Sequence, residues 1–225
     1  MTSICTVLAV ADIATARKFY EELFGLEVWQ DYGINVSFTC GLALQQAFGW
    51  LVGLPEERIA KRPNNMEICF EEPDFDGFLK RLERFPGIDR LGTVTEQGWG
   101  QRVVRFYDPD GHMIEVGEAM KAVIERFLDG IFTEAYPRES MSSANVEECI
   151  LHFFKTALKY RRQLLALLQR GLLDRVSMAF YRQTLEQIRH LQILNNKYQP
   201  YFFSGASAAM LCAWVENDFA EPPEE

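Results

Sequence analysis

Long apolar runs, paired cysteines and histidines are all scarce in this 225-residue chain. No apolar run approaches the ~20 residues that a helix needs to cross a bilayer, so no membrane partner is expected. The five cysteines form no Cys-x-x-Cys pair, which favours free thiols over a disulfide framework. Met1-Thr2-Ser3 leads into a strand-like run without the features of a signal peptide, and we therefore expect a cytoplasmic protein.

Positive charge is also in deficit. The chain has 23 Lys and Arg against 32 Asp and Glu, a formal net charge of −9. The excess lies in residues 1–118, with 11 basic against 19 acidic side chains, whereas residues 119–225 have 12 against 13. A surface of this sign repels a phosphate backbone, and Met120–Val146 offers no basic recognition helix. Nucleic acid is therefore not expected as a partner.

What the chain does contain is one segment that occurs twice within its first 118 residues. The run Ile4–Asp12 opens a strand that leads into a helix predicted at Ala14–Phe24. Sixty-two positions later, Met66–Asp74 leads into a helix predicted at Phe75–Phe85. Such repetition indicates one supersecondary unit used twice, in the order strand, helix, strand, strand, strand, with the copies burying each other's apolar faces.

Three further strands are predicted after each of these helices. The Asp108-Pro109-Asp110-Gly111 segment joins the last two, since Pro fixes one φ angle and Gly tolerates a positive one. The six predicted strands are Leu26–Gln30, Asn35–Thr39 and Leu42–Ala47 in the first copy, and Arg90–Thr95, Arg102–Tyr107 and His112–Glu118 in the second.

The pattern becomes helical after Glu118. Apolar residues of Met120–Leu128 recur on one helical face, and Gly130 is expected to break this helix. Further helices are predicted near 145–170, 174–195 and 198–218. The predicted fold class is therefore α+β, with paired βαβββ modules followed by an all-α helical domain.

Two motifs in the first part are typical of a known superfamily. They are the run Phe-Tyr-Asp-Pro-Asp-Gly-His-Met-Ile-Glu at positions 106–115 and the segment Phe19-Tyr20 to Leu23-Phe24-Gly25-Leu26. With them, residues 1–118 resemble the vicinal-oxygen-chelate superfamily, which includes glyoxalase I, bleomycin-resistance proteins and extradiol dioxygenases. The resemblance implies that the two modules form a cupped barrel, and that metal-dependent members carry one ligand on each of four strands.

The resemblance implies four candidate metal ligands, namely Cys5, Gln45, Glu67 and Glu115, where the family usually has His, Glu, His and Glu. The repeat supports the same pairs, since Cys5 and Glu67 correspond at an offset of 62, and Gln45 and Glu115 at an offset of 70. Only Glu115 keeps the usual identity, and it is the candidate catalytic carboxylate. None of the three histidines lies at a ligand position.

The chemistry of this set leaves two interpretations open. Two carboxylates, a thiolate and an amide oxygen can hold a divalent cation, with zinc, nickel, manganese and iron as candidates, although soft Cys suits zinc and oxygen suits harder ions. Alternatively, Cys5 is a small buried hydrophobe and Gln45 hydrogen-bonds inside the cup. Glu67 and Glu115 would then need a cation, a hydrogen-bond donor or a shared proton.

The last part of the chain carries a second resemblance. Its closing run Tyr201–Phe219 combines the small residues at 205–209 with Trp214 and the pair Glu216-Asn217. Residues from about 146 to 225 thereby resemble the C-terminal ligand-binding and dimerisation domain of TetR-type repressors. The resemblance implies a small-molecule ligand and a homodimer formed by closely approaching helices. Ordinary packing within one protomer is the alternative explanation for the small residues.

Two functions follow from these domains, which are 1–118, a helical connector at 119–145, and 146–225. We favour a small-molecule-binding protein, because both ligand histidines are lost beside a module whose relatives sense rather than catalyse. The alternative is a metal-dependent lyase, isomerase or dioxygenase that uses the four candidate ligands around one cation.

Overall fold

The computed structural model describes residues 4–136, 146–191 and 196–220. The chain divides into two compact units, one of residues 1–95 and 102–118 and one of residues 96–101 and 119–225. The first contains two four-stranded sheets with helices and the second contains helices, so the α+β class is confirmed. Helix α4, within the predicted connector, packs in the core of the second unit.

The first unit repeats one topology in two sheets. The strand orders are β1-β4-β3-β2 and β5-β8-β7-β6, and β1–β4 and β5–β8 pair in parallel. The predicted order of strand, helix and three strands is therefore present twice. The strands are β1 (Thr6–Val10), β2 (Val28–Asp31), β3 (Asn35–Phe38), β4 (Leu42–Gln46), β5 (Glu67–Glu72), β6 (Thr95–Glu96), β7 (Arg102–Tyr107) and β8 (Met113–Glu118); the helices are α1 (Ile13–Phe24), α2 (Phe48–Val52) and α3 (Phe75–Arg84), with a 3-10 turn at Glu56–Arg58.

Equivalent aspartates start the two long helices of this unit. The Asp12 carboxylate accepts the backbone N–H of Thr15 at the start of α1, and Asp74 accepts that of Gly77 at the start of α3. Each cap satisfies a donor that the first helical turn leaves without a partner. The local sequence thus determines where both helices begin.

Helices α1 and α3 share one apolar core with both sheets. The ring of Phe24 lies 4.5 Å from that of Phe70, 5.7 Å from Phe78 and 6.3 Å from Phe106, measured between centroids. Aromatic rings at these distances contribute specific edge and face contacts in addition to burial. The two copies of the repeat therefore bury a joint core, as the sequence predicted.

One predicted strand is largely absent. Only Thr95–Glu96 is regular strand where Arg90–Thr95 was expected. An isolated bridge from Arg90 to Phe106 and a bond from the Leu91 N–H to the Arg105 carbonyl keep the earlier segment beside β7. Gly92 adopts a φ of 88°, which interrupts the extended backbone.

The second unit is helical in the ranges described. Helix α4 continues through Gly130, so the predicted break there was wrong; Ile131 and Phe132 extend the buried face of the helix beyond it. The single helix predicted near 145–170 is two helices that are separated at Lys159-Tyr160. None of the described helices has the length and apolarity needed to cross a membrane. The helices are α4 (Met120–Ala135), α5 (Val146–Leu158), α6 (Arg161–Gln169), α7 (Leu173–Leu191) and α8 (Gln199–Glu216).

Candidate functional site

The candidate site lies on the sheet face opposite the helices. Side chains alternate between the two faces of a strand. Ile68 and Ile114 pack into the core with α1 and α3, so Glu67, Cys69 and Glu115 project from the other face of β5 and β8. The order β5-β8-β7 also puts Arg105 on this face, directly opposite Glu115 in the antiparallel pair.

These side chains converge on one point of the sheet. One oxygen each of Glu67 and Glu115 and the sulfur of Cys69 all lie within 4.8 Å of one another. The Nε of Arg105 donates to Oε1 of Glu67 at 2.7 Å, and its Nη2 donates to Oε2 of Glu115 in a short contact. The guanidinium of Arg105 thus bridges the carboxylates of Glu67 and Glu115, two of the predicted ligands.

Charge and partial burial set the protonation of this cluster. Burial raises the pKa of the Cys69 thiol, and the negative charges of Glu67 and Glu115 raise it further, so the thiol form is favoured. Burial alone would lower the pKa of Arg105, but its bond to Glu67 and the charge of Glu115 raise it. The cluster therefore contains a fixed cation between two acids.

The other two predicted ligands lie elsewhere in the described structure. Cys5 is exposed just before β1 and does not belong to the Glu67–Cys69–Glu115 cluster. Gln45 is 3% exposed on β4, where its Oε1 accepts from Nδ2 of Asn35 at 2.9 Å. Its Nε2 donates to the carbonyl of the next residue at 2.6 Å. Both ends of the Gln45 amide are therefore used in structural hydrogen bonds.

The strand register explains why the first copy does not reproduce the pair of the second. Gln45 pairs with Ala9, so Cys5 lies four residues, or roughly 13 Å, from that rung. Glu115 pairs with Cys69, only two residues from Glu67. The distance along the strand from the first residue to the partner of the second is therefore four residues in the first copy and two in the second. The strand registers of the two copies differ by two residues, a difference that the sequence offsets of 62 and 70 do not show. Cys5 and Gln45 are too far apart along the sheet to contact one ion.

A metal centre therefore has to be judged from Glu67, Cys69 and Glu115. Their donor atoms are close enough to contact one divalent ion. However, an ion there would compete with a guanidinium that already binds both carboxylates, and the thiol would have to lose its proton. These residues fit an internal ion cluster better than a resident metal site.

Arg105 and Cys69 are the site residues that sequence reasoning did not assign. A signal was available, because the Asp108–Gly111 turn closes a hairpin in which residue 107 pairs with 113. Counting back along that hairpin places 105 opposite 115, where opposite charges stabilise a sheet.

A second polar cluster holds the β7–β8 turn. The buried Asp108 carboxylate accepts the Tyr20 hydroxyl at 2.8 Å and lies 2.9 Å from Nδ1 of His112. Burial, with the charge of Asp108, raises the pKa of Tyr20 well above its ordinary value. Burial would lower the pKa of His112, but the bond to Asp108 raises it. This cluster links α1 to the turn rather than forming part of the acidic site.

Curated proteins match about half of the chain. The tRNA (guanine-N(1)-)-methyltransferase of Chlamydia trachomatis serovar L2 is 33% identical over 109 residues, which cover 48% of this chain and 27% of that protein. The Chlamydia muridarum protein of the same name is 30% identical over 108 residues, with the same coverage. The chain thus spans about a quarter of the length of these curated relatives.

Solved structures also match about half of the chain. A protein of unknown function from Agrobacterium tumefaciens is 33% identical, with a TM-score of 0.47, and the match covers 53% of this chain and 94% of that one. A glyoxalase-related enzyme from Fulvimarina pelagi is 20% identical, with a TM-score of 0.45 and coverages of 53% and 88%.

The assignment rests on the family model for the glyoxalase-like domain. That model matches residues 3–121, which is more than half of the chain. The match covers both sheets, both capped helices and the acidic site described above. The chain belongs to the glyoxalase-like domain family, the vicinal-oxygen-chelate group that its sequence motifs indicated.

Proposed function

We propose that this protein binds a small molecule and does so without a catalytic metal in its glyoxalase-like unit. The observation that carries the proposal is the bridge from Arg105 to Glu67 and Glu115. Two carboxylates this close require a counter-charge, and Arg105 supplies it from within the chain. The two carboxylates and one guanidinium therefore form an ion cluster that needs no added cation and has a net charge of one negative unit.

The ligand face in this proposal is the sheet face opposite α1 and α3. Glu67 and Glu115 are 29% and 19% exposed, so solvent reaches the acids from this side. A cupped arrangement of the two half-sheets, which the family resemblance implies, would enclose this face. Carboxylates that remain partly accessible beside a guanidinium offer both acceptors and donors to a polar ligand.

The alternative function is a metal-dependent lyase, isomerase or dioxygenase. The observation that favours it is the 4.8 Å grouping of Glu67, Cys69 and Glu115 donor atoms. In that case Glu115 would be a ligand and proton carrier, and Arg105 would have to leave the acids when a cation enters.

Metal content distinguishes the two functions. We expect protein purified without chelator to contain zinc, nickel, manganese and iron well below one ion per chain. We further expect Arg105→Gln to bind Mn²⁺ or Zn²⁺ at least about tenfold more tightly than the wild type, because it removes the guanidinium that would compete with the ion for Glu67 and Glu115. Tenfold corresponds to about 1.4 kcal/mol. Elemental analysis and calorimetric titration measure these quantities.

Arg102→Gln is the matched control, because Arg102 lies on the same strand but bonds Glu118 and Asp76 instead. Its metal affinity should equal that of the wild type. Stoichiometric metal in the wild-type protein, lost in Glu115→Gln, would favour the enzyme and remove the metal-free proposal.

We also propose that the helical unit is a TetR-type ligand-binding and dimerisation module whose α8 forms the dimer interface. Helix α8 carries no Lys or Arg and a single acid, Glu216, at its end. Its inner face is buried, yet Phe202 is 70% and Met210 57% exposed on the outer side. A helix that is apolar on all sides is normally covered on all sides.

A second copy of the same chain is the occupant that this surface fits. Two uncharged α8 helices can meet around a two-fold axis without like-charge repulsion. Gly205, Ala206 and Ala209 lie between the exposed aromatic and methionine side chains and let the helix backbones approach closely. Dimerisation would bury Phe202 and Met210, which favours association.

A further inference from the structure

A groove in the helical unit is separate from the acidic site. It has a volume of about 460 Å³ and lies between α4 and α7. Its floor is apolar, formed by Ile124, Met178 and Ala179. Cavities of this size are typical of sites for small organic molecules. The charged residues on its rim are Lys121, Glu125, Asp174, Arg175 and Arg182.

Two of the rim cations have no counter-ion among the residues that the structure describes. Lys121 and Glu125 lie 4.0 Å apart, which partly compensates both charges. Neither Arg175 nor Arg182 makes an ion pair or a side-chain hydrogen bond within the described ranges. Asp174 remains as the opposing charge at the start of α7.

Both arginines lie on α7 and line the groove. Arg175 and Arg182 are seven residues apart, two turns or about 10 Å along one face of α7. Met178 and Ala179 occupy the turn between them and form the apolar floor. Met178 is 51% exposed, so an apolar side chain lies at the surface between two guanidinium groups that have no ion-pair partner in the described ranges.

We propose that this groove binds an amphipathic anion, a molecule with an apolar body and one carboxylate. The apolar body packs on Ile124 and Met178, and the carboxylate accepts hydrogen bonds from Arg175 or Arg182, the residue type that best matches carboxylate geometry. The inference rests on the ligand-binding role proposed for the helical unit and names the class of its ligand.

The test compares the binding of three molecules with the same eight-carbon chain. Octanoate is an anion, 1-octanol is neutral and octylamine is a cation. In calorimetric titrations of the full chain, we expect octanoate to bind at least about tenfold more tightly than octylamine. Arg175→Gln/Arg182→Gln should weaken octanoate binding at least about tenfold and leave 1-octanol binding unchanged. Met178→Glu, which puts an acid between the two arginines, should abolish octanoate binding.

Arg162→Gln is the control, because Arg162 is an exposed arginine of α6 outside the groove. Its octanoate affinity should match the wild type, and circular dichroism should show all variants folded. Equal affinity for octanoate and octylamine, no octanoate binding at millimolar concentration, or an unchanged double variant would each refute the proposal. Those results would leave the metal and dimer experiments unaffected, so a failure here is distinct from a failure of the proposed function.

Discussion

At the scale of single residues, Asp108 organises the turn that closes the second sheet. Its Oδ1 accepts the backbone N–H of Asp110 and of His112, at 3.0 and 2.7 Å, while Oδ2 serves Tyr20 and the His112 ring. A buried carboxylate is stable only when its oxygens are hydrogen-bonded in this way. His112 is therefore a structural partner of Asp108, and its protonated form interacts favourably with the Asp108 carboxylate.

His112 should make the stability of the protein depend on pH. Because the pKa of His112 is raised in the folded state, its protonated form stabilises the fold fully below the ordinary His pKa of about 6.5. That contribution is lost as pH rises through the folded pKa. We expect His112→Asn, which keeps a neutral donor near Asp108, to lose more unfolding free energy at pH 6 than at pH 9, measured by denaturant titration.

The comparison between wild type and His112→Asn cancels the titration of the other histidines, which both proteins share. A stability difference that is independent of pH, or that grows under alkaline conditions, would show that the charge of His112 is not stabilising.

At the scale of elements, two glycines of the helical unit differ only in backbone conformation. Gly130 lies inside α4 without a positive φ, and Gly171 follows α6 with a φ of 68°. No atom lies within 4 Å of an added Cβ at either position. Space is therefore equal at the two sites, and conformation alone should decide the effect of alanine.

We expect Gly130→Ala to stabilise the protein by about 0.5–1 kcal/mol, because alanine restricts the unfolded chain and favours helix. Gly171→Ala should destabilise it by about 1–2 kcal/mol, because an L side chain is strained at this φ. For a chain of this size, each kcal/mol shifts Tm by about 2–4 °C. Calorimetric melting of both variants provides the measurement, and shifts of the same sign would contradict it.

At the scale of the whole molecule, the exposed face of α8 gives the clearest expectation. We expect the wild type to have about twice the 25.9 kDa chain mass in sedimentation equilibrium at micromolar concentration. Phe202→Glu should shift it to monomer, because two charges would meet across a symmetric interface. A wild type that is monomeric at this concentration would remove the dimer proposal.

Leu158→Glu is the matched control for dimerisation. Leu158 is 40% exposed at the end of α5, on the same unit as α8. The variant adds the same charge at a partly exposed apolar position, and it should remain a dimer. Dissociation of both variants would point to general destabilisation instead of a specific interface.

Several features of the first unit could be predicted from the sequence because they depend on hydrogen bonds between residues close together in the chain. Asp12 and Asp74 cap helices within their own first turns, and the Asp108–Gly111 turn forms within four residues. Both features depend on neighbours in sequence, so sequence alone determined them. The grouping of Glu67 with Glu115 was predicted from the family resemblance and the internal repeat, because the pairing of β5 with β8 joins segments far apart in sequence.

Tertiary structure decided which groups meet at the site. The register of β1 against β4 separates Cys5 from Gln45, while that of β5 against β8 brings Glu67 and Cys69 to Glu115. A shift of two residues keeps every side chain on its face, so periodicity cannot detect it. Only the pairing of strands distant in sequence, β1 with β4 and β5 with β8, fixes that shift.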